Sequence, residues 1–351
     1  MNRLSRRPRI DAAVSGALDE LVRQVGGDPE QLEGKLVREI MHTALKLIPD
    51  KAHAGEMKLI SRSLKELRYA MKVFRPFAQT RKISVFGSAR TSPEHPHYRA
   101  AEHFSRVISS SGWMVITGAG DGIMRAGHDG AGREASFGVA IRLPFETNAN
   151  EFISGDEKLI LFRYFFTRKL MFVSQADAVA LFPGGFGTHD EGFEVLTLIQ
   201  TGKANMVPII MIDAPGDNYW AEWDKYVHDH LLAKGMISED DLNLYLVTDD
   251  TDKAVQHILQ FYRNYHSQRF VRDHLVMRMH RPLRDSQLDA LNEQFGILLA
   301  DGRMVQGGPL HGEQTHLELP RISFHYNKHH FGTLRALIDQ INRFDAENGK
   351  A

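Results

Sequence analysis

The sequence predicts an α/β protein: a parallel sheet with helices on both faces, flanked by an N-terminal helical region and a small C-terminal α+β unit. Three observations carry this prediction. Short, near-continuous apolar runs alternate with helical stretches between residues 82 and 247, the pattern of strands buried on both faces. Three of those runs lead into glycine-bearing turns, at Gly87, Gly118 and Gly184. The apolar spacing changes from helical to strand-like at Lys82 and changes character again after about Arg269.

Residues 1–80 read as a helical extension. Ile60, Leu64, Leu67, Met71 and Phe74 recur at spacings of four and three, one stripe of a helix, and an earlier stripe runs through Leu32, Leu36, Ile40 and Leu47. Pro49 and Pro76 should end the two helices. The region is read as a helical cap or an oligomer contact; the ordinary use of such a stripe is core packing. The first ten residues carry Arg3, Arg6, Arg7 and Arg9, but no apolar segment follows and Asp11 arrives early. They read as a solvated terminus rather than a targeting peptide.

Strands are expected at residues 83–87, 113–117, 137–141, 159–162, 178–182 and 207–212, with an edge strand at 244–247. Helices should fill most of the intervals, including residues 98–110 and 191–201. This central domain spans 81–265. The tail, 270–351, shows strand-like residues 274–279 and 321–326 and helical residues 285–300 and 333–344, with a loop at Gly307, Gly308 and Gly312. In parallel sheets of this kind ligands bind outside the carboxyl ends of the strands, so the site should lie where the three glycine turns converge.

With 351 residues the chain has room for one large domain with extensions, or for two domains. Its 43 basic and 44 acidic residues leave a formal charge of -1, so no global field draws it to a nucleic-acid polymer or a membrane. Any anion it binds must meet a local site. The absence of cysteine excludes disulfides, a thiolate nucleophile and sulfur-ligated zinc, and it fits a cytoplasmic protein. No apolar run approaches the roughly 18 residues that a membrane helix needs.

Residues 182–191, Phe-Pro-Gly-Gly-Phe-Gly-Thr-His-Asp-Glu, carry the strongest chemical signal. A buried strand runs into Pro183, glycines follow at 184, 185 and 187, and then a helix begins. Glycines let main-chain N–H groups approach an anion with no Cβ in the way, and a helix start adds unpaired donors. Thr188 is placed to cap that helix and to donate to a phosphate oxygen. The plain alternative is a tight turn before a capped helix. Asp190 and Glu191 are expected in the first helical turn, where acids complement the helix dipole. A carboxylate beside a phosphate cradle also suits stabilisation of an oxocarbenium ion, or orientation of an attacking water, and Glu191 is the candidate.

A second cradle spans residues 117–124, with Gly118, Gly120 and Gly122 leading to Met124. Its alternating glycines are not the dinucleotide fingerprint. The third element is residues 163–169. There Arg168 and Lys169 open a helix behind Phe165 and Phe166, two rings placed to wall a base. An arginine suits a phosphate or a departing base.

Together these elements resemble the LOG family of phosphoribohydrolases, also labelled lysine decarboxylases. The family pattern PGGxGTxxE corresponds to Pro183 through Glu191, its arginine-lysine pair to Arg168 and Lys169, and its upstream glycine turn to Gly118 through Met124. The turn at Gly87 and Ser88 also fits. The resemblance covers the central part of the chain and not its first or last 80 residues. It departs at Ala119, Asp121, His189 and Asp190. It implies a Rossmann-like fold and a homodimer as the minimal unit. It implies hydrolysis of nucleoside 5′-monophosphates, AMP-like or cytokinin ribotides, to free base and ribose 5-phosphate. Arg168 and Glu191 would be the catalytic pair. Phosphate and substrate contacts would come from Gly184, Gly185, Gly187, Thr188, Lys169, Gly87, Ser88, Gly118, Gly120, Gly122 and Met124. No cofactor is implied, and nothing suggests a pyridoxal phosphate site.

The 18 histidines, among them His95, His97, His325, His329 and His330, show no metal-ligand spacing, so no metal is expected. Asp213 is assigned to the turn after its strand. The alternative class is a nucleotide sensor, or a carrier of the kind that stores molybdenum cofactor. The intact Arg168 and Glu191 weigh for the enzyme.

Overall fold

The computed structural model describes residues 12–142 and 150–348; the four N-terminal arginines lie outside the described residues. The chain divides into two compact units, Met1–Lys65 and Glu66–Ala351. The first holds α1 (Ala12–Gln24), α2 (Leu32–Lys46) and most of α3 (Ala54–Phe74), inside which the division falls. Leu18 and Val22 of α1 are buried, and Arg38 reaches Asp19 at 3.0 Å. Leu32, Leu36 and Ile40 stay about half exposed or more, so this stripe does not build the core that such spacing ordinarily builds.

The second unit is centred on seven parallel strands: β1 (Lys82–Phe86), β2 (Met114–Thr117), β3 (Ser136–Ile141), β4 (Leu159–Phe162), β5 (Ala178–Leu181), β6 (Ile209–Ile212) and β7 (Tyr245–Thr248). Their order is β4-β3-β2-β1-β5-β6-β7. The chain builds outward from β1 in one direction, then returns to build outward from β5 in the other. A crevice opens between β1 and β5, where the two directions diverge.

Side chains alternate across the sheet because successive residues of a strand face opposite sides. Ile83 and Val85 pack with Phe104 of α4 (Pro96–Ser110), Ile123 of α5 (Ile123–Ala131) and Ile258 of α9 (Thr251–Phe261). Ser84 and Phe86 face the other layer, α6 (Phe165–Ser174) and α7 (Phe186–Gln200), where Phe172, Val195 and Ile199 are buried. Ser84 Oγ donates to Phe172 O at 2.9 Å and fixes α6 against the sheet. Each such buried Ile or Phe contributes roughly 1.5–3 kcal/mol relative to exposure. Between β6 and β7 lies α8 (Tyr219–Tyr226). The Asp213 carboxylate accepts from Trp220 N–H at 2.9 Å, so it closes the start of α8, as its turn assignment anticipates.

A four-stranded antiparallel sheet follows, in the order β10 (Val305–Gly307), β11 (Arg321–His325), β9 (His274–Met279), β8 (Tyr265–Val271). The expected helix over 285–300 is shorter: α10 (Asp285–Gln294) ends before Phe295, and a short 3-10 turn takes over. The last helix, α11 (Phe331–Asn348), places Leu334, Leu337, Ile338 and Ile341 in one apolar cluster with Leu275, Met277 and Ile322, and with Phe172 and Ile199 of the parallel-sheet layer. The tail therefore shares a core with the central domain. No helix among the described residues is long and apolar enough to cross a membrane.

Candidate active site

Three loops at the carboxyl ends of β1, β2 and β5 close on one another. Ser88 N–H donates to Pro183 O at 3.0 Å, and Ser88 O accepts from Ile123 N–H at 3.0 Å, so the loop after β1 is pinned to both glycine loops. Gly122 needs its glycine: φ is +63° and a Cβ would fall 2.2 Å from Ser88 O. Gly184 has no room either, since a Cβ would meet Thr188 Oγ1 at 2.1 Å and Ser88 N at 2.9 Å. Gly185 and Gly187 differ, because a Cβ at either position would meet nothing within 4 Å. Protein packing does not require those two glycines.

The helix α7 begins earlier than its sequence suggests. Gly185 is the N-cap and Phe186 the first helical residue. Thr188 is therefore not the cap, and Asp190 and Glu191 lie beyond the first turn. The sequence reading starts this helix after the glycines, at about residue 191. In fact their N–H groups form the helix start, where donors have no intrahelical partner. Among the described residues the N–H groups of Gly185, Phe186 and Gly187 have no backbone acceptor.

Arg168 enters from α6, whose start is held by Glu66 from α3. The Glu66 carboxylate accepts from Arg163 N–H at 3.0 Å and from Thr167 Oγ1 at 2.8 Å. Arg168 Nε donates to Val139 O at 2.9 Å, and its guanidinium carbon lies 5.1 Å from the centre of the Phe172 ring. Its Nη2 passes so close to Gly118 that a Cβ there would lie 2.5 Å away.

Glu191 faces the same space. It is 7% exposed, and Oε2 is buried without a hydrogen-bond partner among the described residues. Burial pushes its carboxyl up to about 7, against the opposing pull of Lys169 and Arg168. Lys169 itself bridges Asp190 at 2.8 Å and Glu194 at 2.7 Å, so its ammonium is already matched.

The cavity between these groups measures about 850 Å³. Of the residues singled out in the sequence, Gly87, Ser88, Gly118, Met124, Arg168, Gly184, Gly185, Gly187, Thr188 and Glu191 line it, whereas Gly120, Gly122 and Lys169 do not. Phe165 and Phe166 do not line it and are more than half exposed, so the base wall assigned to them is not formed; Phe86 and Phe186 line the cavity instead. Asn150 holds the second glycine loop from behind, with Nδ2 donating to Gly120 O at 2.8 Å, and buried His128 lies beside both Thr117 and Asn150.

Six lining residues escaped the sequence reading as site residues: Phe86, Ala89, Arg90, Phe186, His189 and Tyr219. Tyr219 donates to Gly184 O at 2.6 Å, and its oxygen is 2.7 Å from His189 Nε2. The only sequence signal was the departure from the family pattern at His189. His325 lies at Asp301, and His97 at Asp217. No group of three or more potential ligands suits a metal ion among the described residues.

Fold and cavity define a doubly wound α/β protein with a glycine-rich helix start and a buried carboxylate at the divergence of its sheet. Residues 120–258 match the family model described as "Possible lysine decarboxylase". The chain is similar to a probable cytokinin riboside 5′-monophosphate phosphoribohydrolase, LOG4, of Oryza sativa subsp. japonica, at 24% identity over 181 residues, 50% of this chain and 75% of that one. Both findings support the resemblance to the LOG family. Among solved structures, one structural-genomics target is 20% identical with a TM-score of 0.39, covering 52% of this chain and 99% of that chain. The molybdenum cofactor carrier protein of Chlamydomonas reinhardtii is 19% identical with a TM-score of 0.36, covering 52% and 97%.

Proposed function

We propose that the protein hydrolyses the N-glycosidic bond of nucleoside 5′-monophosphates to free base and ribose 5-phosphate. One observation carries the reading: a buried carboxylate without a hydrogen-bond partner, Glu191, shares a cavity with an arginine and with helix-start N–H groups that lack acceptors. The cradle of Gly184 to Thr188 takes the 5′-phosphate, the charge a helix start favours. The open sides of Gly185 and Gly187 leave the space that a phosphate needs. The glycosidic bond then lies toward Glu191. As it breaks, positive charge develops on the sugar ring, and ionised Glu191 stabilises it and takes the proton of the attacking water. Arg168 donates a hydrogen bond that holds the departing base, and the proton which that base gains comes from the water consumed, by way of Glu191. The tuned carboxylate suits this work, because a base is most effective when its pKa lies near the working pH.

The reading carries with it a cytoplasmic homodimer acting on free nucleotide, not on a nucleic-acid polymer. A nucleotide sensor or cofactor carrier would need the cradle but would have no use for a buried, unpartnered carboxylate. The test is incubation with a panel of 5′-monophosphates, cytokinin ribotides included, followed by chromatography for free base and ribose 5-phosphate. Tight binding with no turnover of any member would overturn the enzyme reading.

A further inference from the structure

A second, larger cavity of about 1060 Å³ opens at the other end of the parallel sheet. Its walls include the residues just before β1, β5 and β6, that is, the amino ends of those strands, and one side of β8. The candidate active site lies at the carboxyl ends, so the two cavities are separate.

The larger one has two chemically distinct sides. Leu170 and Val173 of α6 and Val195, Leu198 and Ile199 of α7 form an apolar floor. Four basic side chains, Arg81, Lys82, Lys203 and Arg269, stand around it against two acids, Asp177 and Glu194. Both acids are already matched: Asp177 by Arg81 at 3.1 Å and the Lys82 N–H at 3.0 Å, Glu194 by Lys169 at 2.7 Å. Lys82 is buried and donates to Thr80 O at 2.6 Å. Arg269 and Lys203 form no ion pair with any described residue. The local field is positive, consistent with His266 on the β8 side being held down to about 4, by burial first and then by His316 and Arg81.

We propose that this cavity is a second ligand site, and that it takes an amphipathic organic anion, its apolar body on the α6–α7 floor and its acidic group at Arg269 and Lys203. Apolar contact and charge pairing would be satisfied together only by such a molecule. Inorganic phosphate would leave the floor wet, and a neutral apolar ligand would leave two cations unmatched.

The probe is 8-anilinonaphthalene-1-sulfonate, an aromatic sulfonate of this description, titrated into the full chain by fluorescence. Saturable binding should persist in saturating ribose 5-phosphate. The double variant Arg269→Gln, Lys203→Gln should weaken it roughly tenfold or more, the scale of losing charged hydrogen-bond donors. Leu198→Gln should weaken it through the floor, with circular dichroism and Tm reporting that each variant is folded. A titration unchanged in the double variant overturns the proposal. So does displacement by ribose 5-phosphate, which would put the probe in the other cavity. Binding that falls as protein concentration rises overturns it too, since a second copy of the chain would then fill the space. The readout needs no turnover, so its failure is distinguishable from failure of the hydrolase reading.

Discussion

The hydroxyl of Tyr219 donates to the carbonyl of Gly184 at 2.6 Å, joining α8 to the first glycine of the loop that opens α7. The contact fixes the carbonyl side of the peptide that leads into the helix start, and so fixes the direction of the N–H groups that follow. Tyr219→Phe keeps the ring packing and removes this bond together with the hydroxyl's contact to His189 Nε2. Affinity for ribose 5-phosphate should fall about fivefold, the scale of roughly 1 kcal/mol for a neutral hydrogen bond, with Tm little changed. Calorimetric titration against unchanged affinity would refute the contact's role.

Gly184 and Gly185 are adjacent and should respond oppositely to alanine. Gly184→Ala drives a Cβ into Thr188 Oγ1 and the Ser88 backbone, and should lower stability by on the order of 1–3 kcal/mol. Gly185→Ala meets no protein atom within 4 Å at a φ of -86°. It should leave Tm unchanged or slightly raised, while weakening ribose 5-phosphate binding. Equal effects on Tm would show that the open side of Gly185 is not ligand space.

Glu191 should cost the fold stability at alkaline pH. Its folded pKa of about 7 lies above the ordinary 4.5, so it is protonated in both states below about 4.5 and adds no difference there. As pH rises toward 7 the unfolded chain gives up the proton first, stability falls, and the loss is complete above about 7. Glu191→Gln should therefore raise Tm at pH 8 more than at pH 5. The same variant should lose on the order of a hundredfold or more in kcat while ribose 5-phosphate still binds. In the native protein kcat/KM should rise with pH through about 7, because the ionised form is the one required. A flat profile, or a Gln variant with full turnover, removes Glu191 from the reaction.

Glu66→Gln should act on Arg168 from a distance. It replaces the charged acceptor at the start of α6 by a neutral one, with an expected loss of about 1–2 kcal/mol. Turnover should fall while phosphate affinity stays, since the cradle belongs to α7. Loss of phosphate affinity alone would contradict that division.

The parallel sheet was legible because its strands are buried on both faces and read as unbroken apolar runs. The strand β8 was not, for Tyr-His-Ser-Gln-Arg-Phe-Val shows neither such a run nor a clean alternation. Its place comes from pairing with β9, a tertiary fact. In the candidate site, the motif residues that follow β1, β2 and β5 could be read from the strand-turn-helix pattern. The cap by Glu66 could not, because it lies 97 positions from the backbone it holds. The start of α7 was placed too late because Gly185 serves as its N-cap and Gly187 lies inside its first turn, although glycine has low helix propensity. Tyr219 left no signal, since only the fold carries α8 back over Gly184.

The pairing of Ser88 with Pro183 has a kinetic consequence. It exists only when β1 lies beside β5, and that register joins Ile83 to Ala178 across about half of the central domain. Closing so long a loop is slow compared with forming the helices between. The cradle should therefore be among the last features to appear during refolding. Its ligand should bind only chains that have completed the sheet, shifting the folding equilibrium by mass action toward them.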